Sequence, residues 1–228
     1  MNRPTFSIDD PVRALGVRGA FAILSGLDNA TADTQAMAQW REFLVAQLRR
    51  ELVPEFLDRD PVLAGFRALH DAVGRSNRRF PSSAEALVGL FLRKGLVPAI
   101  NPLVDIYNGV SLATRLSLGA HDLAHVEGDI TLRITAGTER FVPLGATDPE
   151  PIASGEYCYI DGSGDVLCRL EHRQCERTKV TAATTDCFYI LQGNANTSRE
   201  LIETTLARLV DQTHRFCGGR LEESWIVA

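Results

Sequence analysis

Beyond residue 114 the apolar residues of this chain stop recurring about every 3.6 positions and begin to alternate about every 2, and that switch narrows the folds open to it. Upstream, an apolar strand candidate, VRGAFAILSG (17–26), precedes four helical patterns. In 34–53, Met37, Trp40, Leu44, Leu48 and Leu52 share one face. A second helix starts at Asp60-Pro61 and carries Val62, Phe66, Leu69 and Val73. The third opens on a Ser82-x-x-Glu85 capping box and stops at Gly95. The fourth, 101–114, has Asn101 as its N-cap and Pro102 in the first helical position.

Downstream, DITLRITAGTERFVPL reads as strand, turn and strand, with Ile130, Leu132 and Ile134 inward and Thr131, Arg133 and Thr135 outward. EYCYIDGSGDVLCRLEHR is a second hairpin. Centring it on Ser163 sets Cys158 opposite Cys168 and Ile160 opposite Val166 on one face, leaving Tyr157, Tyr159, Leu167, Arg169, Glu171 and Arg173 on the other. KVTAA and CFYIL read as further strands, and a last helix opens at a Thr197-x-x-Glu200 box. Helices first and hairpins later predict an α+β fold, a mostly antiparallel sheet with helices packed on it. No proline- or glycine-rich linker divides residues 1–228, so one domain with two lobes is expected.

At 228 residues the chain can bury a substantial core. Its net charge of −5 confines any nucleic-acid contact to a local basic patch. The amino-terminal string MNRPTFSIDD lacks the apolar core of a signal peptide. No apolar run reaches the roughly 20 residues that cross a bilayer, so a cytoplasmic protein with no membrane partner is expected. The five cysteines form no C-x-x-C pair, which fits a reducing compartment. Cys158 and Cys168 are expected to fill core on one face of their hairpin. Phosphate-loop, G-x-G-x-x-G, H-E-x-x-H and G-x-S-x-G patterns are absent, so no cofactor is expected. His121 and His125 have metal-ligand spacing if helical, but two histidines at that spacing recur by chance, and we assign no metal there.

The 101–114 helix carries short polar groups, Asn101, Asp105 and Asn108, opposite its apolar stripe, where Glu or Lys would favour the helix more. Short side chains hold donors and acceptors in nearly fixed places. Asp105, Asn108 and Ser111 therefore suit either a buried structural network or a polar pocket, with Asp105 and Asn108 expected near Arg133 or Arg169. Arg75, Arg78, Arg79, Arg93 and Lys94 form either a solvated surface or a phosphate-binding edge. Arg169, Arg173, Arg177 and Lys179 are a second basic candidate.

Three segments taken together, NPLVDIYNGVSL, GAHDLAHVEGDITLRITAGTERFVPLG and GEYCYIDGSGDVLCRLEHRQCERTKVTAATTD, resemble the editing module in the beta subunit of bacterial phenylalanyl-tRNA synthetase, and more closely its free-standing relatives. The resemblance is best over 60–192. It implies a pocket between two sublobes and hydrolysis of mischarged aminoacyl-tRNA in trans, without metal or protein nucleophile. Carried over by position, it implies catalytic roles for Asp105, Asn108 and Glu139, to which we add His121 although it stands off the matched position. It implies substrate contacts from Asn101, Asp122, Arg133, Glu156, Asp161, Arg169, Arg173 and Thr181. From the basic cluster itself, tRNA is expected to approach along Arg75, Arg78, Arg79, Arg93 and Lys94. Two positions depart from the pattern. Gly119 stands where the synthetase has its pocket histidine, with His121 two places on, and Ile190 replaces a glutamate that reads the tyrosine hydroxyl. The alternatives are a non-catalytic module binding RNA or a free amino-acid-like ligand, and a protein-interaction scaffold.

Overall fold

A computed structural model describes residues 4–31 and 34–227, so Met1, Asn2 and Arg3 of the amino-terminal string lie outside the described residues. The fold is α+β, with two antiparallel-rich sheets and seven helices among the described residues. Strands β1 (Phe6–Ile8), β4 (Ile130–Ile134), β5 (Tyr157–Ile160), β6 (Val166–Arg169) and β7 (Arg173–Gln174) form the first sheet in the order β1-β4-β5-β6-β7. Only the β1–β4 pair is parallel. The second sheet is antiparallel, with β3 (Ser117–Asp122), β8 (Cys187–Gly193), β2 (Arg18–Leu27) and β9 (Gly218–Val227) in the order β3-β8-β2-β9. One apolar cluster runs through both sheets. Phe6 of β1 stacks on Phe21 of β2 at 3.8 Å between ring centroids, joining them.

The helices begin where their caps stand. Asp60 accepts from the Leu63 N–H to open α4 (Pro61–Ala72), and Ser82 accepts from Glu85 N–H to open α5 (Ser83–Lys94). Gly95 ends α5 at φ 66°, a left-handed conformation that suits glycine. Asn101 accepts from Val104 N–H to open α6 (Pro102–Thr114). The last helix, α7 (Arg199–Cys217), is capped by Ser198, one residue beyond the expected Thr197, whose hydroxyl instead accepts from Asn194 N–H. The remaining helices are α1 (Asp10–Ala14), α2 (Thr34–Glu51) and α3 (Phe56–Arg59). A satellite core of Leu44, Leu48, Val88, Phe91 and Leu112 joins α2, α5 and α6. Helix α6 is therefore wrapped by α2, α5, α7 and β3, and its burial extends nearly all round.

Three expected strand features are corrected. The segment RFVPL does not return beside β4, and β5 takes that place. Pro143 has no N–H for a ladder, and Glu139 folds the preceding turn by accepting from the N–H groups of Ala136, Gly137 and Thr138. KVTAA is a turn closed by Thr181 N–H on the Thr184 hydroxyl. In the β5–β6 hairpin Ile160 does face Val166, but one extra residue on β6 shifts the register beyond it. Cys158 then faces Arg169, and Cys168 faces Tyr159, so the two cysteines are not opposite one another. All five cysteines are buried and free.

Candidate functional site

The shifted register sorts the first sheet into two ranks. Leu132, Tyr159, Cys168 and Gln174 pair across β4, β5, β6 and β7, as do Arg133, Cys158, Arg169 and Arg173. Tyr159, Cys168 and Gln174 line a pocket of about 210 Å³ whose opposite wall is the second sheet. That wall comes from Ser117, Gly119 and His121, alternate residues of β3, and from Ile190 of β8, which pairs directly with Gly119. Tyr107 and Asn108 of α6 contribute to the lining, as does Ser83 at the start of α5. A Cβ on Gly119 would stand 2.7 Å from Gln174 Nε2, which donates to the Ala120 carbonyl across the pocket, so a side chain there would push that amide aside.

His121 is 1% exposed, with Nδ1 2.7 Å from the Thr178 hydroxyl. Its Nε2 has no hydrogen-bond partner among the described residues. Burial, helped by the Arg177 charge, pulls its pKa down to about 4, so the imidazole is neutral at pH 7. A buried polar chain reaches the pocket lining at Glu171 and Tyr159. His70 Nε2 lies 2.6 Å from Glu171 Oε1, at ion-pair distance but outside hydrogen-bond geometry. Glu171 Oε2 accepts from Tyr157 Oη at 2.6 Å and from Gln192 Nε2 at 2.9 Å, and Gln192 Oε1 accepts from Tyr159 Oη at 2.6 Å. Burial lowers the pKa of His70, but the Glu171 carboxylate outweighs it and leaves it raised.

The sequence profile of the B3/4 domain matches residues 68–216, a span holding α5, α6, all of the first sheet except β1, and both pocket walls. The chain belongs to the B3/4 domain family. Among solved structures, an N-terminal fragment of the phenylalanyl-tRNA synthetase beta subunit from Pyrococcus horikoshii is similar at 15% identity and a TM-score of 0.53. The alignment covers 97% of this chain and 51% of that one, so this chain spans about half the length of that relative. At that identity the likeness concerns the fold alone. No curated protein matches the chain.

In this B3/4 chain the residues singled out from sequence fall into three groups. Asn108, His121 and Arg173 line the pocket together. A second group is absorbed in local structure. Asp105 is buried, accepts from Ile100 N–H at 2.7 Å and pairs with Arg41 at 2.5 Å, away from both Arg133 and Arg169, where it was expected. Asn101 caps α6 and Asp122 caps the turn after β3 while accepting from the Thr184 hydroxyl. Ser111 donates to the Leu116 carbonyl. Arg133 pairs with Glu139 at 2.8 Å, and the turn amides help hold Glu139 at a pKa of about 2, against burial. Asp161 accepts from Ser163, Glu127 N–H and Arg177, and Thr181 closes the turn already described.

The third group surrounds a different cavity. Arg75, Arg79, Glu156 and Arg169 line a space of about 300 Å³. Of the remaining basic residues, Arg78 is exposed, and Arg93 and Lys94 are exposed in the last turn of α5. His121 and His125 do not share a helix, since one is on β3 and the other in the 3₁₀ turn after it. Among the described residues no group of three His, Cys, Asp or Glu is placed to hold a metal, and no helix is long and apolar enough to cross a membrane. Sequence reasoning passed over Tyr107, Ser117 and Gln174 as pocket residues. The alternation of Ser117, Gly119 and His121 in SLGAHD was the available signal, a period-2 run of small or polar residues that was not read as a strand.

Proposed function

We propose that this B3/4 chain takes the aminoacyl end of a charged tRNA into the pocket between its sheets and hydrolyses the ester when the amino acid is the wrong one. The observation that carries this reading is a half-open pocket whose lining brings the neutral His121 imidazole, its Nε2 unpartnered among the described residues, together with the Asn108 amide. A volume of about 210 Å³ lies below the roughly 300–1,000 Å³ of sites for drug-sized ligands, and suits a single amino-acid side chain. An imidazole held near 4 takes a proton poorly at pH 7. Nε2 is sealed from solvent as the wall stands, so in this scheme the ring turns toward the pocket to accept a hydrogen bond from water and aim that water at the ester carbonyl. The Asn108 amide, on the same lining, is a donor for the carbonyl oxygen as charge develops there. An aminoacyl ester is activated enough for orientation and charge stabilisation to supply the needed rate.

The occurrence of the same fold in a phenylalanyl-tRNA synthetase beta subunit supports tRNA as the partner. In this reading the chain acts in trans in the cytoplasm, and the tRNA passes over the exposed Arg78, Arg93 and Lys94. Ile190 and Gly119 give the pocket a more apolar floor than a site reading a hydroxyl requires, so the favoured amino acid is apolar. The test is a deacylation screen over mischarged tRNAs with the purified chain and no added metal or nucleotide. Turnover above the spontaneous rate for at least one pair is expected. No turnover for any pair would reject the enzyme, and retained binding of a free amino acid would then identify a small-ligand module.

A further inference from the structure

The space lined by Arg75, Arg79, Glu156 and Arg169 is a built site of its own. Glu156 sits at its base, fully buried. Its Oε1 accepts from Arg75 Nε at 2.5 Å and Arg169 Nη2 at 2.7 Å, and its Oε2 accepts from Arg169 Nε at 2.6 Å. Both oxygens are consumed, and the Arg169 side chain is only 11% exposed. Arg169 also lies over the Phe80 ring at 4.8 Å, and Arg79 lies over it at 5.4 Å. The Arg79 side chain has no ion pair or hydrogen bond among the described residues, and neither Arg169 Nη1 nor Arg75 Nη2 donates to any described residue.

Two guanidinium groups therefore hold one buried carboxylate and a third, Arg79, lines the same cavity, with the exposed Glu150 adding its field at Arg169. Drawing Arg169 and much of Arg75 out of water is costly unless an anion matches them. Glu156 matches one, orients Arg75 and Arg169, and leaves donors pointing from three separate side chains. A carboxylate is satisfied by one guanidinium fork, whereas an anion approached from three side chains needs several oxygens, which is the chemistry of a phosphoryl group. Pro151, Ile152 and Ala153 supply an apolar wall for whatever carries it. We propose that this cavity is a phosphoryl-binding site, separate from the central pocket and independent of the function proposed for it. The phosphoryl group belongs either to a free nucleotide or to the backbone of an RNA strand.

The experiment is calorimetric titration of the full chain at low salt with inorganic phosphate and with adenosine monophosphate. Arg79→Ala is the decisive variant, because that side chain is exposed and holds no carboxylate in place. Arg208→Ala, on the exposed side of α7, is the control for general charge. Saturable binding of both probes is expected, weakened at least about tenfold by Arg79→Ala and within about twofold by Arg208→Ala. Absence of saturable binding, or equal losses in the two variants, overturns the proposal. A short single-stranded RNA separates the sources. If it displaces adenosine monophosphate with tighter, Arg79-dependent binding, the phosphoryl group is that of RNA; if it fails to displace it, the site serves a free nucleotide. Both results uphold the site.

Discussion

His70 and His121 are both buried beneath one pocket, yet their environments drive them in opposite directions. His121 folds into a place where its pKa falls from 6.5 to about 4. Between those values the unfolded chain holds the extra proton, so stability declines as pH drops through that window and is unaffected below it. The decline amounts to about 3 kcal/mol over the whole window. Denaturant midpoints of the wild type and His121→Asn at pH 7 and pH 5 should show it, with the wild type losing about 2 kcal/mol more than the variant. Equal losses would contradict a depressed imidazole. His70 has a raised pKa beside Glu171. Its contribution is complete below pH 6.5 and is lost as pH rises through the folded value, so His70→Gln should cost more stability at pH 6 than at pH 9. Asp105 is a third case. Because it holds Ile100 N–H and Arg41 rather than the pocket, Asp105→Ala should destabilise the fold by about 2 kcal/mol, below the range for fully buried pairs because Arg41 is partly exposed. If the variant unfolds like wild type but its deacylation rate falls, Asp105 belongs to the chemistry after all.

At the level of elements, α6 sets the pocket because α2 lets it come close. A Cβ on Gly109 would stand 2.4 Å from the Trp40 ring and 2.8 Å from Leu44 Cδ2. Gly109→Ala gains about 1 kcal/mol of helix propensity in isolation but is expected to lose about 1–3 kcal/mol through overpacking. Chemical denaturation should therefore show no gain in stability, and a clear gain would mean the two helices are looser than described. The helices were legible because their caps are local: Asp60, Ser82 and Asn101 each name their own starting point. Strand partners were less legible. The β5–β6 pattern is right at Ile160–Val166 and fails one residue further on, because a bulge reverses every later face and leaves no compositional mark. That reversal moved Tyr159 and Cys168 onto the pocket wall and Arg169 onto the other side. β9 was passed over because its exposed edge carries Gly, Arg and Glu where a buried strand would alternate.

Across the whole molecule, the two sheets are held to one another by polar contacts that lie beside the pocket. Tyr159 reaches Gln192, Gln174 reaches the Ala120 carbonyl, and Thr178 O accepts from Asp122 N–H. The α+β class could be read from the change of period, but these contacts join residues far apart in sequence, and no local pattern announces them. The pocket they frame is the centre of the proposed function, and Asn108 stands at it on a half-buried position. The most direct measurement is the single-turnover deacylation rate of the best mischarged tRNA with wild type and with Asn108→Trp, an indole placed to fill the pocket, at matched thermal stability. The account predicts a loss of at least about tenfold in the chemical step, since misplacing a bound ester by about 1 Å can cost about a hundredfold. An unchanged rate in the filled pocket would place the chemistry elsewhere and contradict it.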